Sequence, residues 1–469
     1  MKNNHLQHVG EPSFLRMTLT LAIPVALQNL LTSCATLIDT AMVVGLGNAA
    51  TSAMGIAARF SFLLNVICFG FASGAAALIS QFWGAQDQRS VRRCAGLALT
   101  CSMTFGVIYT LLLAAFPNVL MRIFTDDPLT VELGAQYLRI FSLAVPFLVF
   151  AQIMCAALRS VECVVIPLVS AAASVVLNTF LNYCLIFGHL GFPALGLRGA
   201  AIGSVAGCVL QAVVVLLSIL FLKTPYRGRL SDFFSFSAEF IRRFFVTAAP
   251  ALLNETLWAI GTNIYVMVLA RQGVENYSGY TIYENIQQIF FVFFVGICSA
   301  CSVMVGKKVG QGNRKGAYSD ALKFTILTPV MGVILGGLLI LLREPVLALF
   351  PIETDYARTV ASACLFFYGI WISFRMIPYT LICGIFRAGG DTKTGCILDA
   401  FGMYCVGIPA VLIMGLLIRP ANFVVLVATM FIAEDGLKSL LCIFHFRSKK
   451  WIKQLTAPTD DPQKSPIES

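Results

Sequence analysis

Charged side chains are scarce in this sequence. Asp, Glu, Lys and Arg together make up 12% of its 469 residues, whereas a soluble globular protein carries about 25%. Hydrophobic residues make up 58% of the chain, and its mean hydropathy is +0.83. These values exclude a soluble domain and indicate a membrane protein.

Histidine clusters and nucleotide-binding motifs are also missing. The four His residues are His5, His8, His189 and His445. They are far apart in the sequence, so we expect no metal site. At the one Gly-Lys pair, Gly306-Lys307, Cys301 occupies the place where a phosphate-binding loop requires Gly. The 15 Cys lie mostly in apolar runs and act as small hydrophobic groups. We therefore expect neither enzyme activity nor a cofactor.

Long apolar runs are what the sequence has instead. A helix that crosses a bilayer needs about 20 mainly apolar residues, and twelve runs provide them. They cover residues 15–44, 51–82, 91–115, 131–158, 164–188, 194–222, 240–270, 277–306, 317–342, 357–386, 393–418 and 421–446. The sequence therefore predicts an all-α membrane protein with twelve transmembrane helices.

Lys and Arg are concentrated on one side of these helices. If the N-terminus is cytoplasmic, the cytoplasmic segments hold 24 of them and the outer segments hold 6. Cytoplasmic loops carry such an excess, so we expect a multi-pass protein of the cell membrane with both termini in the cytoplasm. Loops that face an anionic leaflet explain the net charge of +10, and no nucleic-acid partner is required.

The sequence repeats itself at a distance of 226 residues. When residues 21–90 are aligned with residues 247–316, 13 of the 70 positions are identical without a gap. Gly84 aligns with Gly310, and we expect both to end a helix at the C′ position. Six predicted helices separate the two copies, and an even number preserves their direction. The repeat is therefore parallel, with a pseudo-twofold axis along the membrane normal.

The repeat predicts two lobes of six helices. A cytoplasmic tail (1–14) precedes the N-lobe (15–222), and a cytoplasmic linker (223–239) leads to the C-lobe (240–446). Residues 447–469 form a tail that is first basic and then polar. Two such lobes leave a cleft near the midplane, where secondary transporters bind their substrates.

Several motifs resemble those of the multidrug and toxic compound extrusion (MATE) family. They are LAIPVALQNLL and LIDTAMVVGLG near the first helix, LNTFLNYCLIFG in the fifth, and FRAGGDTKTG after the tenth. In the last motif the residues that match the family are Arg387, Gly389, Gly390, Asp391 and Thr392. The resemblance covers about residues 12–455. It implies two lobes that open alternately to either side and export organic cations and other amphiphiles against inward H⁺ or Na⁺.

Polar side chains in the outer part of the N-lobe form the first candidate site. Asp39 lies about 8 Å below the outer end of the first helix at ~1.5 Å per residue. Asn178 and Asn182 share one face of the fifth helix, and Ser204 has a comparable depth in the sixth. Oxygen ligands suit a hard cation, and intramembrane carboxylates serve as proton relays. We therefore predict a cation-coupling site here, with a possible Na⁺ as its metal ion.

The MATE resemblance implies the same site, position by position, with two departures. The family has an Asp where this chain has Asn182, and a Thr where it has Ser204. At most one carboxylate, Asp39, therefore titrates in this cluster, and Na⁺ affinity should fall with the lost charge. The alternative is that Asp39 simply pairs with Arg59, which lies at a similar depth in the second helix.

The C-lobe holds a second set of intramembrane charges. Glu255 lies near the middle of the seventh helix, Glu284 in the outer part of the eighth, and Arg375 at about the depth of Glu255. Each such charge costs at least about 2.5–3.5 kcal/mol, so we predict that these three residues form a substrate site or a second cation site. The alternative is a structural Glu255–Arg375 pair. The family's helix-7 Glu typically occupies the place of Trp258, one turn away from Glu255.

Three further acidic residues have structural explanations. Glu434 and Asp435 lie one turn before Lys438, so we predict a structural pairing among them. Asp399 is expected to pair with Lys393 or to cap neighbouring backbone.

Two functions fit these observations. The first is an antiporter of organic cations, drugs or other amphiphiles against H⁺ or Na⁺. The second is a flippase of a lipid-linked saccharide or polyprenyl intermediate, whose fold is similar. Such flippases usually carry further helices or several basic residues in the cavity, whereas here the intramembrane carboxylates at least match the arginines in number. The sequence therefore favours cationic, amphiphilic cargo, carried by a monomer in the lipid bilayer.

Overall fold

The structure is a computed structural model that describes residues 13–350, 352, 354–420 and 422–456. These residues contain no strand, and the long helices account for most of them. The long helices are α1 (Phe14–Val44), α2 (Asn48–Gly84), α3 (Gln88–Ala115), α4 (Pro128–Ser160), α5 (Val165–Phe187), α6 (Leu197–Phe221), α7 (Ala238–Ala270), α8 (Val274–Gly310), α9 (Arg314–Leu347), α10 (Asp355–Phe386), α11 (Thr392–Ile418) and α12 (Phe423–Arg447). The predicted all-α fold class with twelve helices is confirmed.

Within the described part of the chain, the first eleven of these helices are long and apolar enough to cross a membrane. The twelfth, α12, is 25 residues long but carries three charged residues in its middle. The chain is therefore a multi-pass membrane protein. Helices α1 to α6 form the N-lobe and α7 to α12 form the C-lobe. We call the side on which α1 begins and α12 ends the terminal face.

The two lobes use the same turn on the terminal face. Asp87 caps α3 by accepting a hydrogen bond from the backbone of Ser90, and Asn313 caps α9 in the same way. One residue earlier, the backbone is left-handed at Gln86 (φ 60°) and at Gly312 (φ 74°). The prediction that Gly84 and Gly310 hold the C′ position is therefore wrong. They are the last residues of α2 and α8, and their lack of a side chain has another cause.

That cause is the contact between the lobes. Gly84 packs directly against the backbone carbonyl of Lys307, and Gly310 packs against the carbonyl of Gln81, with no room for a Cβ atom on either glycine. Lys307 and Gln81 are themselves counterparts in the 226-residue repeat. The two contacts therefore exchange under a twofold rotation, which is what an isologous interface requires.

The same exchange holds deeper in the molecule. Gly70 of α2 packs on Leu252 of α7, and Gly296 of α8 packs on Ala26 of α1. These pairs are again related by the repeat. Gly70 lies 14 residues before Gly84, so the interface reaches about 21 Å inward from the terminal face at ~1.5 Å per residue. The lobes thus meet through α1, α2, α7 and α8, around a pseudo-twofold axis.

A C-terminal strap, residues 451–455, ties the two lobes together on the terminal face. The side-chain amide of Gln81 donates to the carbonyls of Ala388 (2.8 Å) and Lys453 (3.2 Å) and accepts from the backbone of Leu455 (2.8 Å). The ammonium of Lys453 lies 2.8 Å from Asp391. Burial opposes ionisation of Asp391, but hydrogen bonds from Lys453, Thr394 and His445 outweigh it and lower the pKa of this carboxyl.

Charged side chains join α12 to α11 inside the C-lobe. The ammonium of Lys438 lies 2.8 Å from Glu434, 3.7 Å from Asp435 and 3.1 Å from Asp399. The predicted pairing of Glu434 and Asp435 with Lys438 is confirmed. The expected Asp399–Lys393 pair is wrong, because a spacing of six residues places the two side chains on different faces of a helix. Asp399 faces α12 instead.

Arg375 of α10 completes this cluster. Its guanidinium lies 3.3 Å from Asp435 and over the ring of Phe431, at 4.7 Å from the ring centroid. The indole of Trp371 donates to the same carboxylate at 3.2 Å. Three carboxylates thus surround two cations, and their ion pairs link α10, α11 and α12.

A first prediction concerns the interface glycines. A Cβ atom on Gly74 of α2 would lie 2.5 Å from the Cα atom of Ala248, whereas a Cβ atom on Gly55 of the same helix would meet nothing within 4 Å. We expect Gly74→Ala to lower stability by about 1–3 kcal/mol through overpacking. Gly55→Ala should be neutral or stabilising by about 0.5–1 kcal/mol, because Ala suits a helix better. Thermal unfolding in detergent micelles measures both, and equal midpoints would contradict the lobe contact.

A second prediction concerns Lys438. The substitution Lys438→Met leaves three carboxylates, of which Glu434 and Asp435 are buried, with one guanidinium. Removal of one partner from a buried ion pair costs about 3–5 kcal/mol. We expect a large fall of the unfolding midpoint in the same assay, and partial recovery in Glu434→Gln/Lys438→Met. The exposed Lys450 is the control: Lys450→Met should leave the midpoint unchanged. A midpoint unchanged by Lys438→Met would show that the cluster does not stabilise the C-lobe.

Candidate ion and substrate sites

The predicted N-lobe cluster is assembled from α1, α5 and α6. The side-chain amide of Asn182 donates to the Asp39 carboxylate at 2.7 Å. Asn178 and Asn182 are one helical turn apart and project from the same face of α5, as their spacing predicts. The side chain of Asn182 is fully buried and that of Asn178 nearly so. The structure therefore brings Asp39 and both amides together.

Asn178 has one orientation that satisfies both ends of its amide. In that orientation its NH₂ group donates to Asp39 at 3.0 Å, and its oxygen accepts from the backbone N–H of Ser204 at 3.1 Å. Ser204 thus reaches the cluster through its backbone. The Asp39 carboxylate consequently receives two amide hydrogen bonds, which orient it and spread its charge.

Two features of this cluster were not predicted. The Oδ1 atom of Asn182 is buried and has no hydrogen-bond partner within the described structure. Tyr137, near the start of α4, lies beside Ser204 and within electrostatic reach of Asp39, and its side chain is buried. No signal in the sequence distinguishes Tyr137 from its polar neighbours Glu132, Gln136 and Arg139 on the same helix. Together with Asp39 and Asn178, these groups make a polar cluster inside the N-lobe.

Arg59 does not neutralise Asp39. Among the residues that the structure describes, no salt bridge joins them, and Arg59 is exposed. The alternative of a structural Asp39–Arg59 pair is not what this conformation shows. Arg59 of α2 instead lies within electrostatic reach of Glu284 on α8, across the space between the lobes.

Glu255 has a partner other than the one predicted. Its carboxylate lies 2.7 Å from the guanidinium of Arg387, at the end of α10. The same guanidinium donates to the hydroxyl of Ser73 on α2 at 2.7 Å. The alternative of a Glu255–Arg375 pair is wrong, because the guanidinium of Arg375 forms an ion pair with Asp435 instead. Sequence depth alone placed Arg375 level with Glu255 but said nothing about the direction in which each side chain points.

The three predicted C-lobe residues are therefore not in contact with one another. Glu255 lies at the lobe interface with Arg387, Arg375 lies inside the C-lobe, and Glu284 faces Arg59. Groups of three or more His, Cys, Asp or Glu side chains that could hold a metal ion are absent from the described residues. The polar groups at these sites are carboxylates, amides and guanidinium groups.

Comparison with known proteins places the chain in a family. The MatE family model matches residues 24–184 and 250–413. Its two matches begin 226 residues apart, which is the repeat distance read from the sequence. The matched segments include Asp39, Asn178 and Glu255, and they cover more than half of the chain.

Relatives align over most of their length. The chain is 26% identical over 457 residues to a probable multidrug resistance protein NorM of Thermotoga maritima, with 96% of each chain covered. It is 24% identical over 410 residues to multidrug and toxin extrusion protein 1 of Xenopus tropicalis, covering 83% of this chain and 67% of that one.

Solved structures share the fold. A crystal structure of a MATE P26A mutant superposes with a TM-score of 0.85 at 18% identity, covering 96% of this chain and all of the other. An outward-facing MATE transporter of the MOP superfamily gives a TM-score of 0.83, with 94% and 97% covered. From the family match and the duplicated twelve-helix architecture, the chain belongs to the MatE family of multidrug and toxic compound extrusion transporters, which are not enzymes.

Proposed function

We propose that the protein is a secondary active antiporter that exports cationic, amphiphilic small molecules in exchange for H⁺. The names of its relatives support the cargo class, since they are described as multidrug resistance and multidrug and toxin extrusion proteins. The observation that carries the coupling proposal is the Asp39 carboxylate, which two amides hold and which no cationic side chain of the described residues neutralises.

The direction of these hydrogen bonds supports H⁺ over Na⁺. Both amide NH₂ groups point at the carboxylate, so a Na⁺ ion at Asp39 would face donors unless both amides rotated. A proton on Asp39 requires a smaller change. The new O–H needs one acceptor, and the Oδ1 atom of Asn182, buried without a partner, becomes that acceptor when its amide rotates.

Protonation would then reach the rest of the N-lobe through these amides. Asn178 links Asp39 to the backbone of Ser204 on α6, so rearranging the amides changes how α1, α5 and α6 hold one another. Helix α1 carries Pro24 and forms part of the lobe interface. We propose that loading Asp39 alters the angle of α1 and thereby shifts the equilibrium between the two lobe arrangements.

We propose that the terminal face is cytoplasmic, as the distribution of Lys and Arg predicts. The described conformation is then closed towards the cytoplasm by the glycine contacts and the C-terminal strap. Cargo would bind between the lobes, where Glu255 and Glu284 supply negative charge. Export requires that cargo and proton favour opposite lobe arrangements, since a ligand shifts an equilibrium only by its difference in affinity for the two states.

The coupling residue is tested by Asp39→Asn. This substitution keeps the shape of the side chain and removes the titrating group. We expect drug efflux from cells to fall to the background level, with expression and membrane insertion intact. The exposed Asp126 gives the matched control: Asp126→Asn should transport normally. Normal efflux by Asp39→Asn would remove the coupling assignment.

The coupling ion is tested in proteoliposomes with a pH gradient and a Na⁺ gradient imposed separately. We expect the pH gradient to drive uptake of ethidium, a fluorescent organic cation, and the Na⁺ gradient to have no effect on it. Asn182→Asp adds a second carboxylate and should make transport respond to Na⁺ as well. Transport driven by Na⁺ alone in the wild-type chain would contradict H⁺ coupling. Movement of a lipid-linked saccharide without any gradient would support the flippase alternative instead.

A further inference from the structure

Arg387 is the most enclosed cation at the contact between the lobes. Its side chain is 3% exposed and that of Glu255 is 13% exposed. One NH group donates to Glu255 at 2.7 Å, and another donates to Ser73 at 2.7 Å. The guanidinium therefore neutralises the carboxylate of Glu255. It also connects the C-lobe to α2 of the N-lobe.

We propose that Arg387 is a tethered competitor: its guanidinium occupies Glu255 while the terminal face is closed, and a cargo cation binds Glu255 only by displacing it. This inference rests on the proposed function, because it assumes that cations are the cargo. It assigns Arg387 a role in setting affinity and specificity. A carboxylate with its own cation releases cargo readily, as an exporter needs in the state that is closed towards the cytoplasm.

The hydrogen bond that holds Arg387 to Ser73 depends on the lobe arrangement. Ser73 lies on α2, next to Gly74, which packs against Ala248 of α7. Any separation of the lobes at the terminal face must break this contact and carry Ser73 away from Arg387. The guanidinium then keeps only its bond to Glu255 and competes less effectively with cargo.

Helix α10 also has a local means of moving Arg387. Residues Thr380–Phe386, directly before it, form wide π-helical turns. A π turn holds one residue more than an α turn and is often found at functional sites. Changing it to α geometry would rotate the following residue by about 100°, one residue's share of a 3.6-residue turn. Arg387 could thus leave Glu255 without unfolding of the helix.

The first half of the chain contains an internal comparison. Arg159 aligns with Arg387 at a shift of 228 residues, and its guanidinium donates to the neutral side chain of Gln28 at 3.2 Å. The counterpart of Glu255 is Asn29. An arginine between the fourth and first helices of a lobe is therefore a shared structural feature. Within the described part of the chain, a carboxylate pairs with it in the C-lobe alone. The fold does not require that charge.

The geometry also specifies the shape of a cation that can replace Arg387. A guanidinium is planar, its charge is delocalised, and its N–H groups point at fixed angles. A planar cation with N–H donors can take over the contacts to Glu255 and Ser73. A cation without N–H donors, such as tetraphenylphosphonium, can satisfy the charge of Glu255 only.

The test is equilibrium binding of ethidium, a planar monovalent cation with amino groups, to the purified chain in detergent at about pH 8. If Arg387 occupies Glu255 nine-tenths of the time, the apparent affinity is reduced about tenfold. Arg387→Gln should therefore bind ethidium about tenfold more tightly, and Arg387→Lys should stay near the wild-type value. Ser73→Ala keeps both charges and should tighten binding by about threefold. The affinity for tetraphenylphosphonium should increase by no more than about twofold in Arg387→Gln.

Two controls separate competition from general loosening. Arg159→Gln removes the aligned arginine that has no carboxylate, and its ethidium affinity should remain within about twofold of wild type. Glu255→Gln/Arg387→Gln should lose the whole gain seen in Arg387→Gln. Size-exclusion chromatography shows whether each variant is folded and free of aggregates. If Arg387→Gln aggregates, the ethidium affinity of Ser73→Ala decides the test.

Unchanged or weaker ethidium binding by folded Arg387→Gln, or by Ser73→Ala where that variant decides, would overturn the inference. An equal gain in Arg159→Gln would do the same. Failure of the proposed function looks different. Neither ion gradient would then drive transport in wild-type proteoliposomes. The order of ethidium affinities among the variants would still follow from the Glu255–Arg387 contact.

Discussion

The closed terminal face depends on backbone touching backbone across the lobe interface. Gly84 and Gly310 bring α2 and α8 so close that each meets a carbonyl of the other lobe. Contacts of this kind gain dispersion energy with no side-chain entropy to lose, and they suit helix pairs in membranes, where lipid competes for every apolar surface. At these two glycines no side chain interlocks with the other lobe, and separation must in addition break polar contacts such as those of Gln81 and Arg387. A transporter needs an interface that is tight and still separable.

The repeat explains why so much of the architecture could be predicted from one sequence. Two copies in one register carry the same helices, the same Asp87 and Asn313 caps, and the same interface glycines. Hydropathy gave the helices, and the even number of intervening spans gave their direction. The role of Gly84 and Gly310 was predicted incorrectly, because a glycine that ends a helix and a glycine that admits another backbone look alike in sequence. Only the partner lobe distinguishes them.

The polar sites also contain some contacts that the sequence predicts and others that only the structure reveals. Asp39, Asn178 and Asn182 were found together because depth and i, i+4 spacing are sequence properties. The partners of Glu255 and Arg375 were not predicted, because depth in the membrane does not fix the direction in which a side chain points around its helix. Arg387 was visible as part of the FRAGGDTKTG motif, yet nothing local shows that it reaches Glu255, 132 residues away. The π-helical turns of α10 and α11 shift the angular register of their side chains beyond what a 3.6-residue period predicts.

The asymmetry between the lobes follows from the way charge is distributed on a symmetric scaffold. Position 29 of the first copy is Asn, and the aligned position of the second is Glu255, so the carboxylate beneath the arginine belongs to the C-lobe alone. The first copy has a half-buried carboxylate at Asp39, where the second has Tyr265. Neither of these two carboxylates has an acidic counterpart at the aligned position of the other lobe. In the mechanism we propose, a proton on Asp39 and a cation on Glu255 exchange through the motion of the lobe interface, because the two carboxylates do not touch each other.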